Sequence, residues 1–217
     1  MINRQRIGGW AALLNVGVAI GNLVVVFGIL GPEVAGDPAM IAGLVATRPA
    51  PLLWLEGFKL VAAVVSLVVV WALAQRLPAN STQVCKGVTA CGVISALLLM
   101  VAGLAGVVAV SLTGRTWGAD VLPTALTYER VNALINRLGL AALFCHGLWL
   151  LGIGRLVRKT DDWPVGLGYL SLLSGVINLL TFALPPLALL ALLSGLVWSL
   201  WLAGVWLSEP SPATPPA

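Results

Sequence analysis

Apolar residues run along this chain in six blocks, at about 7–30, 51–74, 88–111, 131–156, 165–183 and 185–207. A helix rises 1.5 Å per residue, so about 20 apolar residues cross the hydrocarbon core of a bilayer. Backbone N–H and C=O groups in lipid must find partners inside their own segment, which selects helix for each block. The last two blocks part only at Pro185-Pro186. Proline lacks an N–H and restricts the residue before it, and about 40 residues is too long for one crossing, so a tight hairpin of two spans is predicted. The pattern predicts an all-α polytopic bundle of six spans over 1–207, then a proline-rich disordered tail over 208–217.

The connections are unequal. Those at 31–50 and 112–130 are long, and the second and fourth are short. In the first long connection, Asp37 is a suitable N-cap and Pro38 a suitable first helical residue, which predicts a short helix over 38–46 at the bundle mouth, ending near Arg48-Pro49. Arg4, Arg6, Arg76, Lys86, Arg155, Arg158 and Lys159 fall at one end, against Arg48, Arg115 and Arg130 at the other. The positive-inside rule then places both termini in the cytoplasm and the long loops outside. Trp10, Trp71, Trp163 and Trp206 near the inner ends, and Trp54 and Trp117 near the outer ends, read as interfacial aromatic belts. Arg4 and Arg6 before an apolar run imitate a signal peptide. The run exceeds an h-region of about 7–15 residues and no small-x-small cleavage site follows, so it is read as the first transmembrane helix.

Composition agrees. Of 217 residues, 59% are hydrophobic and 9% charged, where a soluble surface needs roughly 25% charged. The net charge of +4 is scattered, which argues against nucleic acid as a partner. Three cysteines, Cys85, Cys91 and Cys145, lie in or beside apolar runs and do not form a disulfide framework.

Charges inside spans are costly and therefore informative. Glu56 and Lys59 share a face of the second span, and Glu129, Arg130, Asn132, Asn136 and Arg137 open the fourth. An outward-facing polar pocket, with Arg137 reaching Glu56, is one reading; a salt-bridge cluster that fixes helix packing is the plainer one. His146 lies near mid-membrane, on the side of the fourth helix that carries Asn132 and Asn136 and away from Arg137. A core histidine is the plain reading, and a proton relay or ligand contact the functional one. One histidine cannot close a zinc site or supply bis-histidine haem, so no metal or cofactor is implied. Ser174-Gly175 and Ser194-Gly195 lack the glycine two residues before the serine that intramembrane serine proteases carry, and Cys145 and His146 diverge by about 100° on one helix. No catalytic residues are assigned. Gly17 with Gly21, and Ala102 with Gly106, have small-residue spacing for close helix packing; Asn15 and Asn22 lie nearby, and Asn178 and Thr181 are expected to bond between helices.

The run Phe144-Cys145-His146-Gly147-Leu148-Trp149-Leu150-Leu151-Gly152, followed by Arg155 and Trp163-Pro164-Val165-Gly166, resembles the fourth-to-fifth helix segment of an uncharacterised bacterial membrane family, domain of unknown function 4386. Arg6-Ile7-Gly8-Gly9 and Gly36-Asp37-Pro38 are similar to it as well, although the loop after Asp37 departs from the family's threonine- and asparagine-containing version. The resemblance covers roughly residues 4–205 and implies a six- or seven-helix bundle, with no activity, substrate or catalytic residue attached; the inner membrane is the expected location. Three functions remain open. The first is a non-enzymatic protein that binds a lipid or small molecule, or serves as an accessory subunit beside other membrane subunits or a second copy. The second is a small transporter or channel using the intramembrane polar residues. The third is a membrane enzyme acting on a lipid or quinone.

Overall fold

The computed structural model describes residues 4–31, 38–77, 82–116, 121–160 and 163–208. Six helices are long and apolar enough to cross a membrane: Gln5–Leu30, Pro49–Arg76, Gln83–Thr113, Tyr128–Val157, Val165–Ala183 and Ala188–Ser208. They are called spans one to six. The remaining helix, Pro38–Thr47, is the short one expected before Arg48, and it packs over spans two, three and four. Span two then starts on Pro49, where the missing N–H would have had no partner anyway. Asp37, Trp117 and the tail from 209 lie outside the described residues.

The third connection is shorter than the polar pattern suggested. The third-span helix runs Thr82–Thr116 and the fourth-span helix Val121–Val157, so most of the 112–130 connection is helix. At 37 residues the latter is about 55 Å long, well beyond the roughly 30 Å hydrocarbon core. Hydropathy marks where lipid ends. A helix can continue past that point, and the stretch from Thr124 to Asn136 contains no glycine or proline to interrupt it. Span one changes form near its end: Arg4–Leu23 is α-helical and Val24–Leu30 is a π-helix. It stops at Gly31, whose φ of 87° only glycine adopts readily.

Each span packs against its neighbours in sequence, and span six closes against span one. Among the described residues no backbone contact joins opposite spans, so the six helices form a ring. Neighbours alternate in direction. The start of span one therefore meets the end of span six, where an added Cβ on Gly8 would collide with the Trp206 ring and one on Gly9 would lie 2.9 Å from Leu207.

At the end of the ring that carries both chain ends, the interior is filled. Leu73, Trp149, Leu150, Ile153, Trp163, Trp198, Leu202 and Trp206 form a continuous buried cluster. Trp163 and Trp206 are 5% and 1% exposed, which removes them from the aromatic belt assigned to them, while Trp10, Trp54 and Trp71 stay on the outer surface. The Arg76 guanidinium lies 4.3 Å from the centre of the Trp163 ring, and Trp163 packs on Trp206 at 6.1 Å. This cation–π contact gives Trp163 a reason to turn inward. A second, smaller cluster around Val45, Leu52, Ala102, Val110 and Ile135 holds the short helix onto spans two to four at the opposite end.

Lipid tails are as apolar as leucine, so close packing rather than transfer from water holds such a ring together. The tightest seam joins spans four and five. A Cβ on Gly147 would lie 2.9 Å from the Gly175 carbonyl oxygen, and one on Gly154 would lie 2.8 Å from that of Gly168. The anticipated glycine pairs behave unequally. A Cβ on Gly21 would lie 2.8 Å from the Phe58 ring and one on Gly106 would collide with the Glu56 carboxylate, whereas a Cβ on Gly17 meets nothing within 4 Å. Ala102 is fully buried.

Candidate functional site

A helical ring without contacts across its middle must either collapse, fill with side chains or enclose a space. Here the end with the chain termini is filled by indoles, and the middle is open. A cavity of about 330 Å³ occupies it, and all six spans contribute to its wall. Val18, Ala19, Ala62, Ala96, Leu99, Leu143, Ala191, Leu192 and Leu196 make most of that wall apolar. Asn15, Asn22, Ser66, Ser95, His146 and Asn178 interrupt it. A smaller space of about 40 Å³ continues towards the indole plug between Asn15, Ser66, His146, Trp149, Trp198 and Ser199.

Local chemistry fixes several of these groups. Asn15 Nδ2 donates across the ring seam to Ser199 Oγ at 3.0 Å, joining spans one and six. Ser95 Oγ donates to the Ala142 carbonyl at 2.8 Å, joining spans three and four. The amides of Asn22 and Asn178 turn back on their own helices, donating to the Val18 carbonyl at 3.1 Å and the Ser174 carbonyl at 2.7 Å. Thr181 Oγ1 likewise donates to the Ile177 carbonyl at 2.8 Å. Asn178 and Thr181 are therefore not the interhelical bonds expected of them. A short polar side chain four residues beyond a carbonyl finds that acceptor first. Spans five and six are bonded instead by Trp198 Nε1, which donates to Ser171 Oγ at 2.7 Å, and by Ser174 Oγ, which donates to the Ser194 carbonyl at 3.5 Å, while Ser171 donates to the Leu167 carbonyl at 2.8 Å.

His146 has no such partner. Its ring stacks obliquely on Trp149 at 5.1 Å, and among the described residues no hydrogen bond reaches either ring nitrogen. Ser66 Oγ is equally without a bonded partner there. Trp149 in turn meets Trp198 edge-on at 5.4 Å, so the histidine stands on an indole floor.

The charged candidates lie elsewhere. Glu56 pairs with Lys59 of its own helix, Nζ to Oε1 at 2.6 Å, and not with Arg137. Its other oxygen, Oε2, is sealed against Gly106 without a hydrogen-bond donor. The proposed Glu56–Arg137 pair does not form because Arg137 is exposed on span four while Glu56 is turned towards Gly106 of span three. Glu129, Arg130, Asn136 and Arg137 are exposed on the outer surface of span four, and Asn132 is half-buried. The predicted face of Asn132, Asn136 and His146 is thus divided: of the three, only His146 lines the cavity. Ser66, Ser95 and Ser199 were not singled out from the sequence. Their only signal is a lone hydroxyl in mid-span, which helices also use for ordinary packing.

The fold and cavity define a class: a six-span helical bundle of membrane type that encloses a mainly apolar, uncharged chamber. The chain belongs to the family described as Domain of unknown function (DUF4386), whose model matches residues 6–207. No curated protein and no solved structure matches it.

Proposed function

We propose that this protein is a non-enzymatic receptor or carrier for a small, largely apolar molecule held in the central cavity. The observation that carries the reading is His146, an unpartnered polar ring facing a chamber whose other walls are mostly aliphatic. Small-molecule sites are typically concave, apolar and about 300–1,000 Å³, with a few polar groups that fix orientation. His146 is half-buried, and a hydrogen bond that a ligand supplied to its ring would contribute about 0.5–1.5 kcal/mol. Among the described residues no hydrogen bond couples a wall hydroxyl to the His146 ring, so no activated nucleophile is assembled and the reading stops at binding.

The test uses the protein extracted gently from its own membrane and weighed intact by native mass spectrometry. Gly195 lines the cavity, and a Cβ there meets nothing within 4 Å, so Gly195→Leu is placed to occupy part of the chamber. The wild type should carry an added small-molecule mass that Gly195→Leu lacks. Equal masses on both proteins would place the ligand outside the cavity and end the reading. Transport is the second reading, favoured by the polar groups that spans one to five bring to one chamber. It requires the indole plug to open, and cysteines placed below Trp149 would then react with water-soluble reagents from the side of the chain termini.

A further inference from the structure

The cavity offers hydrogen-bond acceptors, and we infer that its ligand carries a donor head, a hydroxyl or an amine, on an apolar body. This inference rests on the binding reading above and specifies its chemistry.

Asn22 and Asn178 each place an amide against a backbone carbonyl. A carbonyl only accepts, so the atom facing it must be the nitrogen, which settles the orientation of each amide without ambiguity. Among the described residues each side chain then keeps Oδ1, an acceptor without a protein partner, together with the second N–H of its amide. Neither oxygen is among the atoms sealed from solvent without a partner, which are Glu56 Oε2 and two nitrogens elsewhere. Asn178 is 2% exposed and lines the cavity, so its oxygen has only the cavity to open onto. Ser95 has already given its proton to the Ala142 carbonyl and keeps only lone pairs. Asn15 gives an N–H to Ser199 and presents its carbonyl in the same way.

Four groups on this wall have thus committed a proton internally and kept an acceptor. The second N–H of each amide, the Ser66 hydroxyl and a His146 N–H remain as donors on the same wall, so a head that both donates and accepts suits it. No cationic side chain lines the cavity. A molecule whose head only accepts, such as a ketone or an ether, would leave most of these oxygens unanswered. A hydroxyl or amine answers them, and the Leu99, Leu143, Leu192 and Leu196 surface suits an apolar body. Sites built around hydrogen bonds reject analogues that lack the matching group, because the protein's own polar atoms are then left unpaired.

The experiment uses the full chain in lipid nanodiscs and three brominated probes of matched length: 11-bromoundecanol, 11-bromoundecylamine and the methyl ether of the alcohol. Bromine quenches tryptophan, and Trp149 lies at the cavity floor. Quenching seen in the wild type but absent in Gly195→Leu isolates the cavity from probe dissolved in lipid around the exposed tryptophans. At least one of the alcohol and the amine should half-saturate this quenching at about tenfold lower concentration than the ether, and which one does so identifies the head. Asn178→Leu should shrink the preference to about threefold or less. An ether that binds as tightly as both donors overturns the donor-head inference and leaves the binding reading standing. Quenching by all three that Gly195→Leu does not alter overturns both.

Discussion

Gly147 and Gly175 bring the backbones of spans four and five into direct contact, each standing where a Cβ would lie 2.9 Å from the other's carbonyl oxygen. Gly154 and Gly168 repeat the arrangement one heptad away on both helices, in antiparallel register. The seam holds His146 at a fixed height, because Gly147 is its immediate neighbour. Rigid backbone contact of this kind gives an added methyl nowhere to go. Overpacking a well-packed interior costs about 1–3 kcal/mol, so Gly147→Ala and Gly175→Ala should each lose about that much. Gly17→Ala, with open space around the new methyl, should be neutral or slightly stabilising. Unfolding by a denaturing detergent measures all three, and equal losses at Gly17 and Gly147 would contradict the seam.

The sequence pattern read the six spans and the short helix well, because lipid forces each crossing to satisfy its own backbone and leaves a run of apolar residues behind. It was less informative about who packs against whom. The glycine seam escaped because the four-residue spacing of Gly17 with Gly21 was sought, whereas Gly147, Gly154, Gly168 and Gly175 recur at seven. Seven is the spacing of a left-handed helix pair, and two consecutive spans carrying it in mirror order is a signal that can be read from sequence. The cavity was less legible still. His146 was among the candidates, but the charged residues grouped with it turn outward or pair within their own helix. Which residues share a chamber depends on ring order, and a single chain does not display that order.

Glu56 is a structural carboxylate, and its partner on the same helix predicts how it behaves. A surface pair contributes about 0–1 kcal/mol, and breaking a buried pair from one side costs about 3–5 kcal/mol. The Lys59 side chain keeps 32% of its exposure, so Lys59→Met should fall between those limits. Glu56→Gln combined with Lys59→Met should recover most of the loss, since no unpaired carboxylate then remains beside Gly106. A double-mutant cycle by thermal unfolding decides it: a double variant no better than Lys59→Met alone would assign Glu56 a further partner.

Trp198 ties spans five and six through a single neutral hydrogen bond to Ser171. Ser171→Ala removes its acceptor and leaves a buried indole N–H unpaired, at a cost of about 1–3 kcal/mol. Trp198→Phe removes the donor as well, but it also opens space beneath His146 and breaks the contact with Trp149. Ser171→Ala should therefore weaken the protein while leaving probe quenching in the cavity intact. Trp198→Phe should alter both. Intrinsic fluorescence and unfolding midpoints, measured on the same samples, separate the two effects.

His146 supplies the sharpest separation of stability from binding. Its ring makes no protein hydrogen bond among the described residues, so His146→Leu forfeits only the tilted stacking on Trp149, about 0.5–1.5 kcal/mol. Against that loss stands the removal of an unpartnered polar group from a mostly aliphatic wall, which favours the leucine variant by a similar amount. Ligand-free His146→Leu should unfold within about 1 kcal/mol of wild type. Asn15→Leu, which severs the bond to Ser199, should lose about 0.5–1.5 kcal/mol. Ligand retention should reverse the order of effects, with His146→Leu suffering more because the imidazole faces the chamber and the Asn15 amide is partly spent on packing. If ligand-free His146→Leu instead lost several kcal/mol, the imidazole would be a structural group, and the chamber would lose its strongest indication of an occupant.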